Sequence, residues 1–121
     1  MTDETTAATS ATGTDADTGT DTAGVITAIA RLRARPGLED EVRAQALALV
    51  APTRAEPGNV SYRAYEDPTD PGTWVVLEEW ADSASWEAHM ASPHLAEALS
   101  RTGALLAGAP VVRVFPPALP S

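Results

Sequence analysis

Two β-rich runs, VSYRAYE at 60–66 and TWVVLEEW at 73–80, flank the hexapeptide DPTDPG, and this arrangement restricts the fold more than any other feature of the chain. Pro, Asp and Gly in the spacer disfavour helix and strand alike, so the runs are expected to pair as an antiparallel hairpin with a longer loop. A loop centred near Asp70 sets Tyr62 opposite Glu78, Val60 opposite Trp80 and Ser61 opposite Glu79. Before the hairpin, VITAIARLR at 25–33 alternates like a strand and stops at Pro36-Gly37. Leu38, Val42, Gln45, Ala46, Leu49, Val50 and Thr53 then recur at helical spacing, with Glu39, Asp40 and Glu41 in the first turn, and this helix should end before Pro57-Gly58.

After the hairpin, Asp82 can cap a short helix that carries Trp86, His89 and Met90 on one face. Pro93 interrupts it; a second amphipathic segment turns Leu95, Ala98, Leu99, Thr102 and Leu105 or Leu106 inward, and VVRVF at 111–115 makes a last strand. The order is β-α-β-β-α-β, the ferredoxin-like, split β-α-β pattern of the α+β class, with one antiparallel sheet and both helices on the same face. The opposite face would carry Val25, Ile29, Tyr65, Val75 and Leu77. An apolar face of that size implies burial against a second copy, sheet on sheet, as a homodimer of α/β-barrel-like form.

Residues 1–23 contain nine Thr, five acidic residues, no basic residue and no aliphatic residue larger than Ala. Such a segment buries too little apolar surface to offset the entropy of ordering it, so it is expected to be a disordered tail ahead of a single domain over 24–121. It lacks the basic start and apolar run of a secretory signal, and no later stretch is long enough to span a bilayer, which makes the cytoplasm the expected compartment. Five of the nine net negative charges lie in the tail, leaving four for the domain, a balance that argues against nucleic acid and anionic membranes as partners. With no Cys, disulfides, thiolate metal sites and Cys nucleophiles are excluded.

Neither GxGxxG nor GxxxxGK[ST] occurs, so dinucleotide and nucleotide cofactors have no recognisable seat. His89 and His94 are the only histidines, and their i, i+5 spacing across Pro93 does not put them on one helical face; no metal is expected. What remains is a cavity between sheet and helices suited to a small hydrophobic, aromatic molecule.

The run EPGNVSYRAYEDPTDPGTWVVLEEWADSASWEAHMASPHLAEAL, Glu56 to Leu99, resembles the central signature of antibiotic biosynthesis monooxygenase domains: EPG leading into a Tyr-bearing strand, a DP-rich turn, an E-x-W strand end, then a helix with His and a Pro-His pair. RARPG at 33–37 is similar to the family's first strand-to-helix junction, and the resemblance spans nearly all of Val25 to Phe115. It implies an oxygenase that works without metal, flavin or other cofactor, in which a deprotonated phenol, quinol or anthrone of polyketide type gives an electron directly to dioxygen. The family's haem-degrading branch resembles a different pattern, and its positions fall here on Ala30, His89 and Leu99, none of which matches it.

Candidate residues each carry two readings. His89 is a base or proton shuttle, or a buried histidine bonded to a backbone carbonyl. Tyr62 hydrogen-bonds a substrate oxyanion or buries its ring in the hairpin. Glu78 and Glu79 point to opposite sheet faces; one is a base or an orienter for His89, or they pair with Arg31, Arg33, Arg63 or Arg113, and ion pairing is the expectation. Trp80, Trp86, Met90, His94 and Asn59 are candidate substrate contacts, with core packing for the tryptophans and helix capping for His94 as the plainer roles. A cyclase or isomerase using the same base and pocket, or a dimer that only binds a hydrophobic ligand, are the alternatives to oxygenation.

Overall fold

The computed structural model describes residues 23–120, so the expected tail falls outside the described residues. The elements run β1 (Ala23–Arg33), α1 (Glu39–Ala48), α2 (Val50–Arg54), β2 (Asn59–Glu66), β3 (Thr73–Asp82), α3 (Ser83–Met90), α4 (Pro93–Thr102) and β4 (Val111–Phe115). All pairings are antiparallel and the sheet order is β2-β3-β1-β4, the expected ferredoxin-like topology. Among the described residues no helix is long and apolar enough to cross a membrane.

Two local details differ from the sequence pattern. The helix expected over 38–53 is broken at Leu49, because Pro52 has no N–H to give to the Ala48 carbonyl and its ring crowds that carbonyl. In the hairpin, Tyr62 faces Glu78 and Ser61 faces Glu79, but Asn59, not Val60, faces Trp80. Val60 is the extra residue of a bulge between Asn59 and Ser61, and the Asn59 amide spans it by donating to the Ser61 carbonyl at 3.2 Å and the Glu79 carbonyl at 3.5 Å.

Alternation along the strands sorts the sheet into two faces. Ile26, Ala28, Tyr62, Trp74, Val76, Glu78 and Trp80 are buried beneath the helices. Ala34, Val42, Trp74 and Leu106 close the apolar core at one end of this layer, with Leu32 and Leu105 packed against them. Buried Tyr62, Glu78, Trp80 and His89 occupy the other end. On the uncovered face Ile29 pairs with Leu77 and Tyr65 with Val75, and Val25, Tyr65, Leu77 and Phe115 are exposed.

Two caps fix the polar end. The Asp82 carboxylate accepts from the Ser85 N–H at 2.8 Å and its hydroxyl at 2.7 Å, starting α3 where the sequence places it. Ser92 caps α4, and its hydroxyl donates to the His89 carbonyl at 2.7 Å, so the α3–α4 corner is tied to the last turn of α3. The Glu56-Pro57-Gly58 turn packs on the end of β3 and the start of α3: the Gly58 carbonyl accepts from the Ala81 N–H at 2.8 Å, and Gly58, with φ of 84°, lies against Ser85.

Candidate active site

A cavity of about 370 Å³ lies between the sheet and α3, α4 and the end of α1. Ala30, Val76 and Val112 form part of its floor; Leu49, Leu95, Leu99 and Leu106 close it from the helix side. Polar side-chain atoms come only from its Tyr62, Glu78, Trp86 and His89 end, where Met90 also lines it. Such a lining, apolar with polar groups at one end, suits a small hydrophobic molecule.

His89 is the centre of that end. It is 2% exposed, and its ring lies against Trp80 with centroids 4.6 Å apart, with Trp86 at 5.9 Å and Tyr62 at 6.3 Å. Nδ1 donates to Glu56 Oε2 at 2.7 Å, while Nε2 faces Glu78 Oε1 in a longer contact of 3.5 Å. A carboxylate on Nδ1 keeps the proton there and leaves the lone pair on Nε2, beside Glu78, which lines the cavity with His89; a general base needs such a free lone pair. The backbone-carbonyl partner that a buried histidine was expected to find is replaced by Glu56.

Glu78 carries no ion pair with arginine. It sits on the helix side at 5% exposure and accepts from the Trp80 indole N–H at 3.0 Å; Glu79 accepts from the Ser61 hydroxyl at 2.7 Å, and Arg31 reaches Asp67 instead. The expected arginine pairing fails for Glu78 because Arg31, Arg33, Arg63 and Arg113 lie on the opposite sheet face; Glu79 shares their face but stands opposite Thr27 and Ser61. Burial raises the Glu78 carboxyl above its ordinary range, and the Glu56 carboxylate pushes the same way, against the Trp80 N–H and the His89 ring. Burial, then the Glu78 and Glu56 carboxylates, also lift the Tyr62 phenol above its ordinary value, so Tyr62 stays protonated and can donate. Arg54 braces that strand by donating to the Tyr62 carbonyl at 3.0 and 2.8 Å.

A Glu78→Gln variant isolates the burial effect. The folded chain holds the Glu78 proton more tightly than the unfolded chain, so this group favours the folded state least at high pH. Wild-type stability should therefore fall relative to Glu78→Gln as pH rises from the unfolded carboxyl value of about 4.3 through the higher folded value, with a constant difference below that window. Parallel urea-melting curves across the window would contradict the burial argument.

Three candidate contacts lie elsewhere. Trp80 is fully buried beneath His89 and is core; Asn59 spans the β2 bulge; neither lines the cavity. His94 borders a separate crevice with Gln45, Pro52, Glu97 and Arg101. Its Nε2 donates to the same Glu56 Oε2 at 2.7 Å, so the spacing argument that separated the two histidines does not survive the fold: the corner at Pro93 turns His94 back toward His89, with ring centroids 6.2 Å apart. Glu56, 12% exposed at its side chain, was not singled out from the sequence; its one signal there is its place before Pro57-Gly58.

A ferredoxin-like α+β domain with an apolar cavity and a carboxylate-held histidine at its end is the class that the fold and geometry define. The sequence profile of the antibiotic biosynthesis monooxygenase family matches residues 25–101, and the chain belongs to that family. It is 35% identical over 92 residues to Rv0793 of Mycobacterium tuberculosis, covering 76% of this chain and 90% of that one. The structure of Rv0793 superposes with a TM-score of 0.75 over 81% of this chain and 99% of that one. A crystal structure titled antibiotic biosynthesis monooxygenase gives a TM-score of 0.72 at 30% identity, over 78% of this chain and 99% of that one. An uncharacterized protein of Synechocystis, sll1783, is 27% identical over 84 residues; the match covers 69% of this chain and 57% of that longer protein.

Proposed function

We propose that this chain is a cofactor-independent monooxygenase that oxidises a phenol, quinol or anthrone of polyketide type with dioxygen. The observation that carries the reading is His89, pinned through Nδ1 to Glu56 and lining an apolar cavity. In this account His89 takes the substrate's acidic proton on Nε2, Glu56 holds the ring in the competent tautomer and supports the imidazolium, and the Tyr62 hydroxyl donates to the oxyanion. The electron-rich anion passes one electron to dioxygen; the radical pair closes a C–O bond, and the peroxide's O–O bond then breaks. One oxygen remains as a new carbonyl and the other leaves as water with the two hydrogens the substrate has lost. All four electrons that reduce dioxygen come from the substrate. Apolar walls keep water from the peroxide.

Dioxygen uptake by the purified full chain with a panel of anthrones and quinols tests this. Uptake that depends on one class of substrate is the expected outcome. Turnover at the same rate under argon would replace oxygenation with cyclisation or isomerisation, and saturable binding without turnover would reduce the protein to a ligand carrier.

The same reading places a second copy of the chain against the uncovered sheet face, where Ile29, Val75 and Leu77 meet across β1 and β3. Because Leu77 is solvent-facing in the single chain, Leu77→Arg should leave the domain folded and convert a sedimenting dimer to a monomer, a charge in an apolar interface costing several kcal/mol. A wild-type chain that sediments as a monomer at micromolar concentration would remove the dimer.

A further inference from the structure

Glu56, His89 and His94 come from three separate segments, the turn before β2, the last turn of α3 and the first turn of α4. Their nearest donor atoms all lie within 4.8 Å of one another. Two imidazole nitrogens and one carboxylate oxygen form a donor set suited to zinc and its neighbours, and one too poor in oxygen for calcium or magnesium. We propose that these three side chains bind one divalent cation of the zinc class, at a site that borders the substrate cavity and shares His89 with it.

Two further features fit a cation. A metal-bound histidine usually gives its other ring N–H to a carboxylate, and His89 Nε2 faces Glu78 Oε1 at 3.5 Å. Solvent can supply the fourth ligand, because the His94 side chain is 29% exposed and borders the crevice beside Gln45, Pro52 and Glu97. At present Glu56 Oε2 accepts from both rings at 2.7 Å. A tetrahedral ion with bonds of about 2.0–2.1 Å needs donor atoms roughly 3.3 Å apart, so each nitrogen draws back from Glu56 Oε2 by about 0.6 Å while the two nitrogens, at most 4.8 Å apart, settle at that same spacing. The His89 ring is held by Trp80, so Glu56 and His94, the two less buried members, supply that movement.

Binding moves protons within the rings. The Nε2 proton of His94 passes through solvent to its Nδ1, and the Nδ1 proton of His89 passes to its Nε2, on the side of Glu78, so each ring keeps one proton and presents a lone pair to the metal. If His89 Nε2 is the base, as the proposed function has it, the bound cation removes that base. Binding itself does not depend on that reading.

The full chain, dialysed against a chelator, is titrated with Co²⁺ by absorption and with Zn²⁺ by calorimetry. Expected are one ion per chain, the visible bands of tetrahedral cobalt, and a melting temperature that rises with Zn²⁺. Glu78→Gln should weaken binding roughly 10–100-fold, and His94→Ala or Glu56→Gln by more than that. His94→Ala, at a partly exposed position, should melt like wild type without metal. Absence of saturable Co²⁺ and Zn²⁺ binding, or binding that persists unchanged in His94→Ala, overturns the site. Tight binding with oxygenase turnover unaffected by Zn²⁺ keeps the site and removes His89 as the base; turnover without any metal binding does the reverse.

Discussion

His89→Ala should lower kcat by roughly two to four orders of magnitude, the usual worth of a positioned acid–base group, while the domain stays folded. The imidazole lines the cavity and has a carboxylate on Nδ1 to support the charge it gains. Its removal also leaves Glu56 with His94 as a remaining donor, so the half-buried carboxylate is not stranded and the stability loss should stay within the ~1–3 kcal/mol of a lost partner. Glu56→Gln should reproduce part of the rate loss, since an amide cannot support the imidazolium as a carboxylate does. The double variant should fall little below His89→Ala, because residues acting as one unit are not additive. A stable His89→Ala protein with wild-type kcat would move suspicion to Tyr62 and Glu78, or to a substrate acidic enough to need no base.

Gly58→Ala should destabilise the domain by roughly 2–5 kcal/mol, lowering the melting temperature by something over ~10 °C. Its φ of 84° lies in the left-handed region that a β-carbon disfavours, and that β-carbon would collide with the Ser85 side chain at the start of α3. Ser85 cannot step aside without giving up the Asp82 cap. Gly58 also stands two residues from Glu56, so a displaced turn draws the carboxylate from His89 and kcat should fall with stability. Adding Ser85→Gly should restore part of the stability by removing the collision, leaving the backbone strain. A Gly58→Ala protein that melts like wild type would show that the turn does not fix the polar end.

Much of the fold was legible because local chemistry decides it. The DPTDPG loop, the strand alternation and the Asp82 cap each act over a few residues, and the Tyr62–Glu78 pairing follows from them. Val60 was misplaced by one residue because the Asn59 amide, reaching across to the Glu79 carbonyl, stabilises a bulge that no strand period encodes. Half of the site was legible on the same grounds: helical spacing turns His89 and Trp86 inward, and strand alternation sends Glu78 to the helix side. Glu56 was not, since its contact with His89 spans 33 residues and exists only once α3 has packed on the 56–58 turn. His94 was set apart from His89 by an argument that holds within one helix and fails at the α3–α4 corner. The arginine partners expected for Glu78 followed from sequence charge alone, and the sheet puts a layer of backbone between them.

The most direct measurement of the central claim is the fate of ¹⁸O from ¹⁸O₂ during turnover of an anthrone or quinol by the purified full chain without added cofactor. The account expects one labelled oxygen in the product carbonyl and one in water, with incorporation falling in step with kcat in His89→Ala. A product formed without label, or formed equally fast under argon, would contradict it.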